Sequence, residues 1–285
     1  MSLLTMVSYN LMDYNKPPID DPRQFQQREF IRTEIRPDIL CVQEFWHVSR
    51  DPDDKAMHAV FAEFADQLGM VGRLAWASSY CNIGVLWRPE VATEVAWQEY
   101  SHWQYHHTLG LATLDIGASK SLKVATTHLT PFCAQSRFSE AGYVAILGNP
   151  AVPAIIGADW NTVGQEPALD GTGHYDPEPY ADQQPDHGYQ IHQVEWSDDP
   201  KATAIDRRAL ERLRRAGLFD VAHHLRAPWQ ATTGHHPSDP HGGRRIDAFR
   251  ASKAALSALS DHRVWDYRVG DHKPISVQLD TTALG

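Results

Sequence analysis

Apolar runs of single-strand length recur along the whole chain, and each meets a carboxylate, an amide or an imidazole at one end. Asn10 follows LLTMVSY, Glu44 follows DILCVQ, and His128 follows LKVATT. Asp159 and Asn161 follow PAIIGA, Asp247 sits in RRIDAF, and Asp271 and His272 precede PISVQL. Any one such residue is ordinarily a polar loop group, because strand ends meet turns. Their repetition is the constraint: a fold that gathers these strand ends at one edge gathers the polar groups with them. Within IIGADWNT, side chains alternate faces along an extended segment, so Asp159 and Asn161 point the same way.

Between these ends, strand and helix patterns mix over the full length. Leu3 to Tyr9 reads as a buried strand. Pro22 to Ile35 has helical spacing, with Phe25, Phe30 and Ile31 as buried positions, and Pro37 and Asp38 stop it. Ile39 to Val42 is a short apolar strand. Lys55 to Leu68 is helical, with Ala59, Val60, Ala62, Phe64 and Leu68 on or near one side, and Gly69 ends it. Ile83 to Trp87, Leu109 to Leu114, Leu122 to Thr127 and Ala154 to Gly157 read as strands. Phe138 to Leu147 and the charged stretch Ala202 to Ala216 read as helices. Arg245 to Phe249, Val264 to Tyr267 and Pro274 to Leu279 read as late strands. No composition break or internal repeat divides the chain, so residues 1–285 are expected to form one α/β domain. A loop insertion rich in Pro, Asp, Gly and His runs from Gly164 to about Pro200; loops this long are usually functional or disordered.

The residue types at the strand ends share a chemistry. Glu44 and the aspartates are hard oxygen donors suited to Mg²⁺ or Mn²⁺. His128 and His272 supply proton transfer near neutral pH. Asn10 and Asn161 orient a carboxylate, a water or an oxyanion without adding charge. No serine, cysteine or lysine is placed as an obvious covalent nucleophile. That set suits metal-assisted attack of water on a phosphate ester.

Taken in order, Asn10, Gln43-Glu44, Thr127-His128-Leu129, Gly157-Ala158-Asp159-Trp160-Asn161, Arg245-Ile246-Asp247 and Gly270-Asp271-His272-Lys273-Pro274 resemble the endonuclease/exonuclease/phosphatase (DNase I-like) superfamily. The match covers nearly the full chain. The resemblance implies a four-layer α/β sandwich: two mainly antiparallel sheets packed face to face, with helices outside. It implies that Glu44 is the main metal carboxylate, with Asn10 beside it and Asp271 as a second metal-side carboxylate. It implies that Asp159 orients or deprotonates the attacking water, that Asn161 contacts the scissile phosphate, and that His272 acts on the phosphate, oriented by Asp247. His128 resembles the second histidine of the DNase I-like, deadenylase and phosphatase branches, where the abasic-site branch tends to carry tyrosine. A Mg²⁺- or Mn²⁺-dependent nuclease is the first expectation. A phosphomonoesterase or lipid phosphodiesterase of inositol-phosphatase or sphingomyelinase type is the second, and a non-catalytic binding module a remote third. The chain departs from the family pattern at Ala158, an extra residue before Asp159. It departs again at Gly270, where serine is common, and at Met12, where an acidic residue is often found and Asp13 stands next door. Ser260-Asp261-His262-Arg263 imitates the final motif but lacks the proline that follows it in Lys273-Pro274.

Other features carry weaker signals. Trp46 after the Glu44 strand offers a stacking surface or simple packing. Arg244 and Arg245 are candidates for phosphate contact or structural ion pairing. His235, His236 and His241 lie in a segment expected to rim the site. Arg207, Arg208, Arg212, Arg214 and Arg215 form either a phosphate-facing patch or a solvated helix face, and the latter is favoured because the formal net charge is −10. His102, His106 and His107 have spacing that a metal site on a helix would use, though the aromatic neighbours allow a loop or strand equally. Cys41, Cys81 and Cys133 are too scattered for a disulfide framework or a zinc site, and suit a cytoplasmic protein. The N-terminal LLTMVSYNL reads as a first strand, not a signal peptide, and no apolar run approaches a membrane span.

Overall fold

The computed structural model describes residues 3–18, 21–100, 105–180, 190–195, 204–237, 239 and 242–284. In chain order the first half runs β1 (Leu3–Tyr14), α1 (Pro22–Phe30), β2 (Ile39–Trp46), α2 (Lys55–Gln67), β3 (Val71–Ala75), β4 (Cys81–Trp87), β5 (Thr93–Glu99), β6 (Leu109–Asp115) and β7 (Leu122–His128). It continues with α3 (Ala134–Val144), β8 (Ala154–Asp159), α4 (Gln190–Gln193), β9 (Val194–Glu195), β10 (Ala204–Ile205), α5 (Arg208–Arg215) and β11 (Leu218–Asp220). The chain closes with α6 (Val221–His224), β12 (Asp247–Ser252), α7 (Lys253–Leu256), β13 (Leu259–Val264) and β14 (Ile275–Asp280).

Two six-stranded sheets result, ordered β13-β14-β1-β2-β4-β3 and β11-β12-β8-β7-β6-β5. Each holds one parallel pair, β1 with β2 and β7 with β8, among antiparallel neighbours. Alternation along the strands builds the layers. Met6, Ile39, Cys41 and Val85 of the first sheet meet Val124, Ile155 and Phe249 of the second in the central core. On the opposite face of the first sheet, Val7, Tyr9, Leu40 and Phe45 pack on Ile31, Met57, Phe61 and Phe64. The second sheet turns Leu111, Ala125, Ile156 and Ala158 toward Ala141, Val144, Leu210 and Leu213 of α3 and α5. The order helix, sheet, sheet, helix is the four-layer α/β sandwich expected from the sequence. No helix among the described residues is long and apolar enough to cross a membrane.

Gly157 sets the spacing of the sheets. A methyl group there would lie 2.8 Å from Phe249 Cε1, 2.9 Å from Ser8 Cβ and 3.2 Å from Cys41 Cβ. Only a glycine lets the strands approach this closely.

Several local expectations are corrected. On α1, Phe25 is 57% exposed while Gln24 and Gln27 are buried; Gln27 donates to the Tyr9 hydroxyl, and Gln24 accepts from the Asn15 N–H, so the helix seats polar groups on β1. On α2, Ala59 and Ala62 face solvent, and Met57, Phe61, Phe64 and Ala65 form the buried stripe. That register begins at Asp54, whose carboxylate accepts from Ala56 N and Met57 N as an N-cap. The helix expected at 202–216 starts at Arg208, because Ala204-Ile205 pairs with Val194-Glu195; residues 202 and 203 lie outside the described residues. The late strand expected at Val264 to Tyr267 lies earlier, at Leu259–Val264. The strands β3 and β5 have no apolar run to mark them, since β5 is mostly exposed and only Leu74 and Ala75 of β3 are buried.

Candidate active site

The edge where β1, β2, β7, β8 and β12 end on their inward faces opens into a cavity of about 750 Å³. Strand parity puts Asn10, His128, Asp159 and Asp247 there directly: each continues an inward row of residues in the central core. Glu44 arrives differently. Gln43 already occupies an inward position, so simple alternation would send Glu44 outward. Glu44 instead adopts φ +58°, and the β1–β2 register slips, with Asn10 opposite Gln43 but Tyr14 opposite Phe45. Met12 and Asp13 also have φ of +54° and +56°. This double bulge returns Glu44 to the inner face, a re-aiming typical of bulges beside active sites. Asn161 likewise holds a left-handed φ of +51°. Trp160, fully buried, anchors the turn by donating Nε1–H to Ala248 O at 2.9 Å. The extra Ala158 turns into the outer cluster and leaves Asp159 on the inner face.

Asp159 Oδ2 is the point of convergence. It accepts from Asn10 Nδ2 at 3.0 Å, and it lies 3.3 Å from His128 Nε2 and 3.7 Å from His272 Nε2. Asp159 Oδ1 accepts the Asn161 N–H at 2.9 Å. Asn10 Nδ2 also donates to Glu44 Oε1 at 2.9 Å, so one amide bridges the two carboxylates. His272 Nδ1 pairs with Asp247 Oδ2 at 2.8 Å. Asn161 Nδ2 donates to Leu129 O.

The two histidines are pushed apart. Burial lowers His128 to about 4, only partly offset by Asp159, so its imidazole is neutral at neutral pH. Burial would lower His272 as well, but the carboxylates of Asp247, Asp159 and Asp271 outweigh it. They hold the imidazolium well above its ordinary range. Such divergence between like groups is a mark of functional sites.

The acidic groups fit a hard divalent cation. Burial and the nearby Asp271 push Glu44 up to about 7, an ionisation that a bound cation would favour. Asp271 Oδ1 is buried without a hydrogen-bond partner. Ligand atoms of Glu44, His128 and Asp159 also lie within 4.8 Å of one another. Asn10 acts here through its NH₂, while its Oδ1 accepts from Met12 N.

The weaker expectations divide. Arg244 lines the cavity, engaged with the Tyr180 hydroxyl at 3.0 Å and with Asp239. Arg245 does not: it is buried away from the site, bound to Asp176 at 2.7 Å and 2.8 Å and to Asp220 at 2.9 Å. Its guanidinium is spent on buried carboxylates, so of its two readings the structure favours ion pairing over phosphate contact. Half-buried Trp46 and His236 are not among the cavity-lining residues, so neither is placed as a substrate contact. His235 holds the Gly270 carbonyl at 2.9 Å, while His241 lies outside the described residues. The segment at 232–233 braces the final motif: Lys273 N donates to Thr232 O, and Thr233 Oγ1 to Asp271 O. On α5 the arginines pair locally, Arg208 with Asp206 and Arg214 and Arg215 with Glu211. Asp261 and His262 belong to β13 and do not line the cavity. Parts of the 164–200 insertion, 181–189 and 196–200, lie outside the described residues, as does His102.

Some contributors were hidden from the sequence. Gln43 donates to Thr126 Oγ1 at 2.8 Å and lies within 3.3 Å of Ser8 Oγ and Gly157 O, tying the two sheets beneath the site. Its inward parity after Ile39 and Cys41 was the available signal. His107 stacks on His128 with centroids 4.0 Å apart and planes 7° apart, and accepts or donates at Nδ1 to Ser79 Oγ at 2.6 Å. His106 and His107 sit on the loop before β6, not on a helix, and neither joins a three-residue metal cluster among the described residues.

A family model described as the Endonuclease/Exonuclease/phosphatase family matches residues 20–272. No curated protein gives a significant sequence match. Among solved structures, the chain resembles an AP endonuclease from Archaeoglobus fulgidus, with TM-score 0.65 and 16% identity over 97% of this chain and 99% of that one. It resembles a 3'-5' exonuclease from Neisseria meningitidis, with TM-score 0.60 and 16% identity over 97% and 100% of the chains. It is also similar to a mannosyl-6-phosphatase from Bacteroides thetaiotaomicron, with TM-score 0.60 and 14% identity over 96% and 98%.

Proposed function

Because this chain belongs to the endonuclease/exonuclease/phosphatase family, we propose that it hydrolyses phosphate esters with a bound divalent cation, Mg²⁺ or Mn²⁺, and foremost the phosphodiester bonds of DNA or RNA. The observation that carries the reading is the convergence on Asp159 Oδ2 of an amide and two imidazoles. Glu44 and Asp271 would hold the cation, with Asn10 beside them as the amide that orients Glu44, and the cation would neutralise phosphate oxygens and so make the phosphorus accessible to an anionic attack. Asp159 aims a water at the phosphorus and takes up its proton, with His128 and Asn10 fixing the carboxylate. Asn161, on the turn beside it, contacts the phosphate. His272, kept protonated by Asp247, stabilises the charge that develops on the phosphate oxygens. Attack is in line and direct: as the water oxygen bonds to phosphorus, the P–O bond on the opposite side breaks, and the leaving oxygen departs and takes a proton from solvent. The cysteine lining the cavity, Cys81, is raised far above a reactive thiol by burial and by Glu44 and Asp13, so it is no nucleophile.

A second reading, a small phosphate ester in place of a polymer, is favoured by two observations. The guanidinium lining the cavity is already engaged by Tyr180 and Asp239, and the net charge is −10, a poor match to a polyanion. The free cysteines fit a reducing compartment such as the cytoplasm.

The test is hydrolysis by the purified protein with Mg²⁺ on plasmid DNA, single-stranded DNA, RNA, sphingomyelin and an inositol polyphosphate, with EDTA controls. EDTA-sensitive cleavage, reduced at least about a hundredfold in Asp159→Asn, is the expected result. Near-normal turnover by a folded Asp159→Asn protein would overturn the assignment.

A further inference from the structure

The cavity is far larger than a phosphate group, and one of its walls is made of rings. From Asp159 the order is His128 at 3.3 Å, His107 stacked on His128 at 4.0 Å, His106 edge-on to His107 at 4.5 Å, and Phe132 edge-on to His106 at 5.2 Å. All four rings line the cavity, with Pro131 beside them. Phe132 is 46% exposed and also lies edge-on to His192 at 6.0 Å, so it adds an accessible ring to the cavity wall.

This wall is built rather than incidental. His106 and His107 lead into β6, while Pro131 and Phe132 follow β7. Leu109 pairs with Thr127, so both segments leave the same edge of the sheet. One buried carboxylate, Glu140 on α3, then clamps them together: Oε1 accepts His106 N and Oε2 accepts Thr130 N, each at 2.8 Å. Arg137 of the same helix donates to Thr130 O at 3.1 Å. The loops that carry the rings are thereby held before any ligand arrives, which spares the ordering cost of assembling a binding surface.

Ring faces and edges beside a phosphate site recognise flat, polarisable groups, and they do so with little regard for the pattern of hydrogen-bonding atoms. We propose that the wall formed by His106, His107, Pro131 and Phe132 receives a planar heteroaromatic ring carried by the organic side of the phosphate ester, making the preferred substrate a nucleotide-type ester. The inference rests on the phosphoesterase reading and narrows its substrate. It applies whether the ester is a single nucleotide unit or the end of a strand.

Adenosine 5'-monophosphate and ribose 5-phosphate differ only in the base, and both keep the phosphate. Their binding to the full-length protein with Mg²⁺ is measured by calorimetry, beside the hydrolysis panel. The base is expected to tighten binding by about tenfold or more, as one stacked base does. Phe132→Ala should collapse that ratio toward one, and Phe132→Tyr, which keeps a ring, should retain it. Circular dichroism confirms that both variants fold. Equal binding of the two ligands by the unaltered protein, or a ratio unmoved by Phe132→Ala, overturns the ring wall even where the panel shows EDTA-sensitive hydrolysis. A silent panel with neither ligand bound overturns the phosphoesterase reading and this inference with it.

Discussion

His272 illustrates how a single residue takes its state from its neighbours. Removed from water without partners, its imidazole would shed its proton. With Asp247 at 2.8 Å and Asp159 at 3.7 Å it keeps it. The Asp247 charge raises the pH at which His272 deprotonates, so removing that charge lowers it. Asp247→Asn is therefore expected to shift the alkaline limb of the pH–rate profile to lower pH and to cut kcat by about a hundredfold. An unmoved alkaline limb would separate His272 from the rate. Single-residue placement also has its limits. Arg244 and Arg245 are adjacent and chemically identical, yet one lines the cavity and the other lies in a buried ion-pair cluster, because successive residues of an extended chain point to opposite sides.

At the scale of elements, the site depends on where strands stop being regular. The bulge at Glu44 carries its carboxylate to a face that unbroken alternation would deny, and Asn161 takes a left-handed turn where β8 ends. The close approach at Gly157 keeps β8 against β1 and β2, and with it the distance between Asp159 and Asn10. Gly157→Val is expected to destabilise the protein by about 1–3 kcal/mol by forcing atoms into Phe249 and Ser8. Urea denaturation measures this, and an unchanged midpoint would refute the spacing argument. The outer side of the second sheet is joined to the loop insertion by Arg245, Asp176 and Asp220. Arg245→Ala leaves two buried carboxylates short of their partner and is expected to cost about 3–5 kcal/mol, readable in the same experiment. A loss confined to activity, with stability intact, would return Arg245 to the candidate substrate contacts.

For the whole molecule, the strongly negative charge and the crowded carboxylates at one edge act together. A cation that binds only the folded state stabilises it by mass action, about 2.7 kcal/mol at a hundred times its dissociation constant. Mg²⁺ should therefore raise Tm by several degrees, and Glu44→Gln should remove most of that rise. Equal responses of the unaltered protein and the variant would place the cation elsewhere. The same net charge sets the balance between polymer and small ester, since Arg208, Arg214 and Arg215 of α5 are spent on Asp206 and Glu211, and Arg212 on the Phe138 carbonyl and ring.

Much of this was legible in the amino-acid sequence. Short apolar runs with polar ends specify strands whose inward rows terminate together, and eight site candidates fall on or beside such ends because local periodicity is a local property. The four layers follow from the same pattern, since each sheet is apolar on both faces and must be covered twice. Tertiary structure alone decided the rest. Whether Glu44 faces inward depends on a bulge whose cause lies in pairing between β1 and β2, not in its own neighbours along the chain. Phe25 and the alanines of α2 went astray because the buried side of a helix is chosen by what lies beneath it. The ring wall was invisible for the strongest reason: His106 and Phe132 are far apart in sequence, and only the antiparallel pairing of β6 with β7 and the reach of Glu140 bring them to one surface.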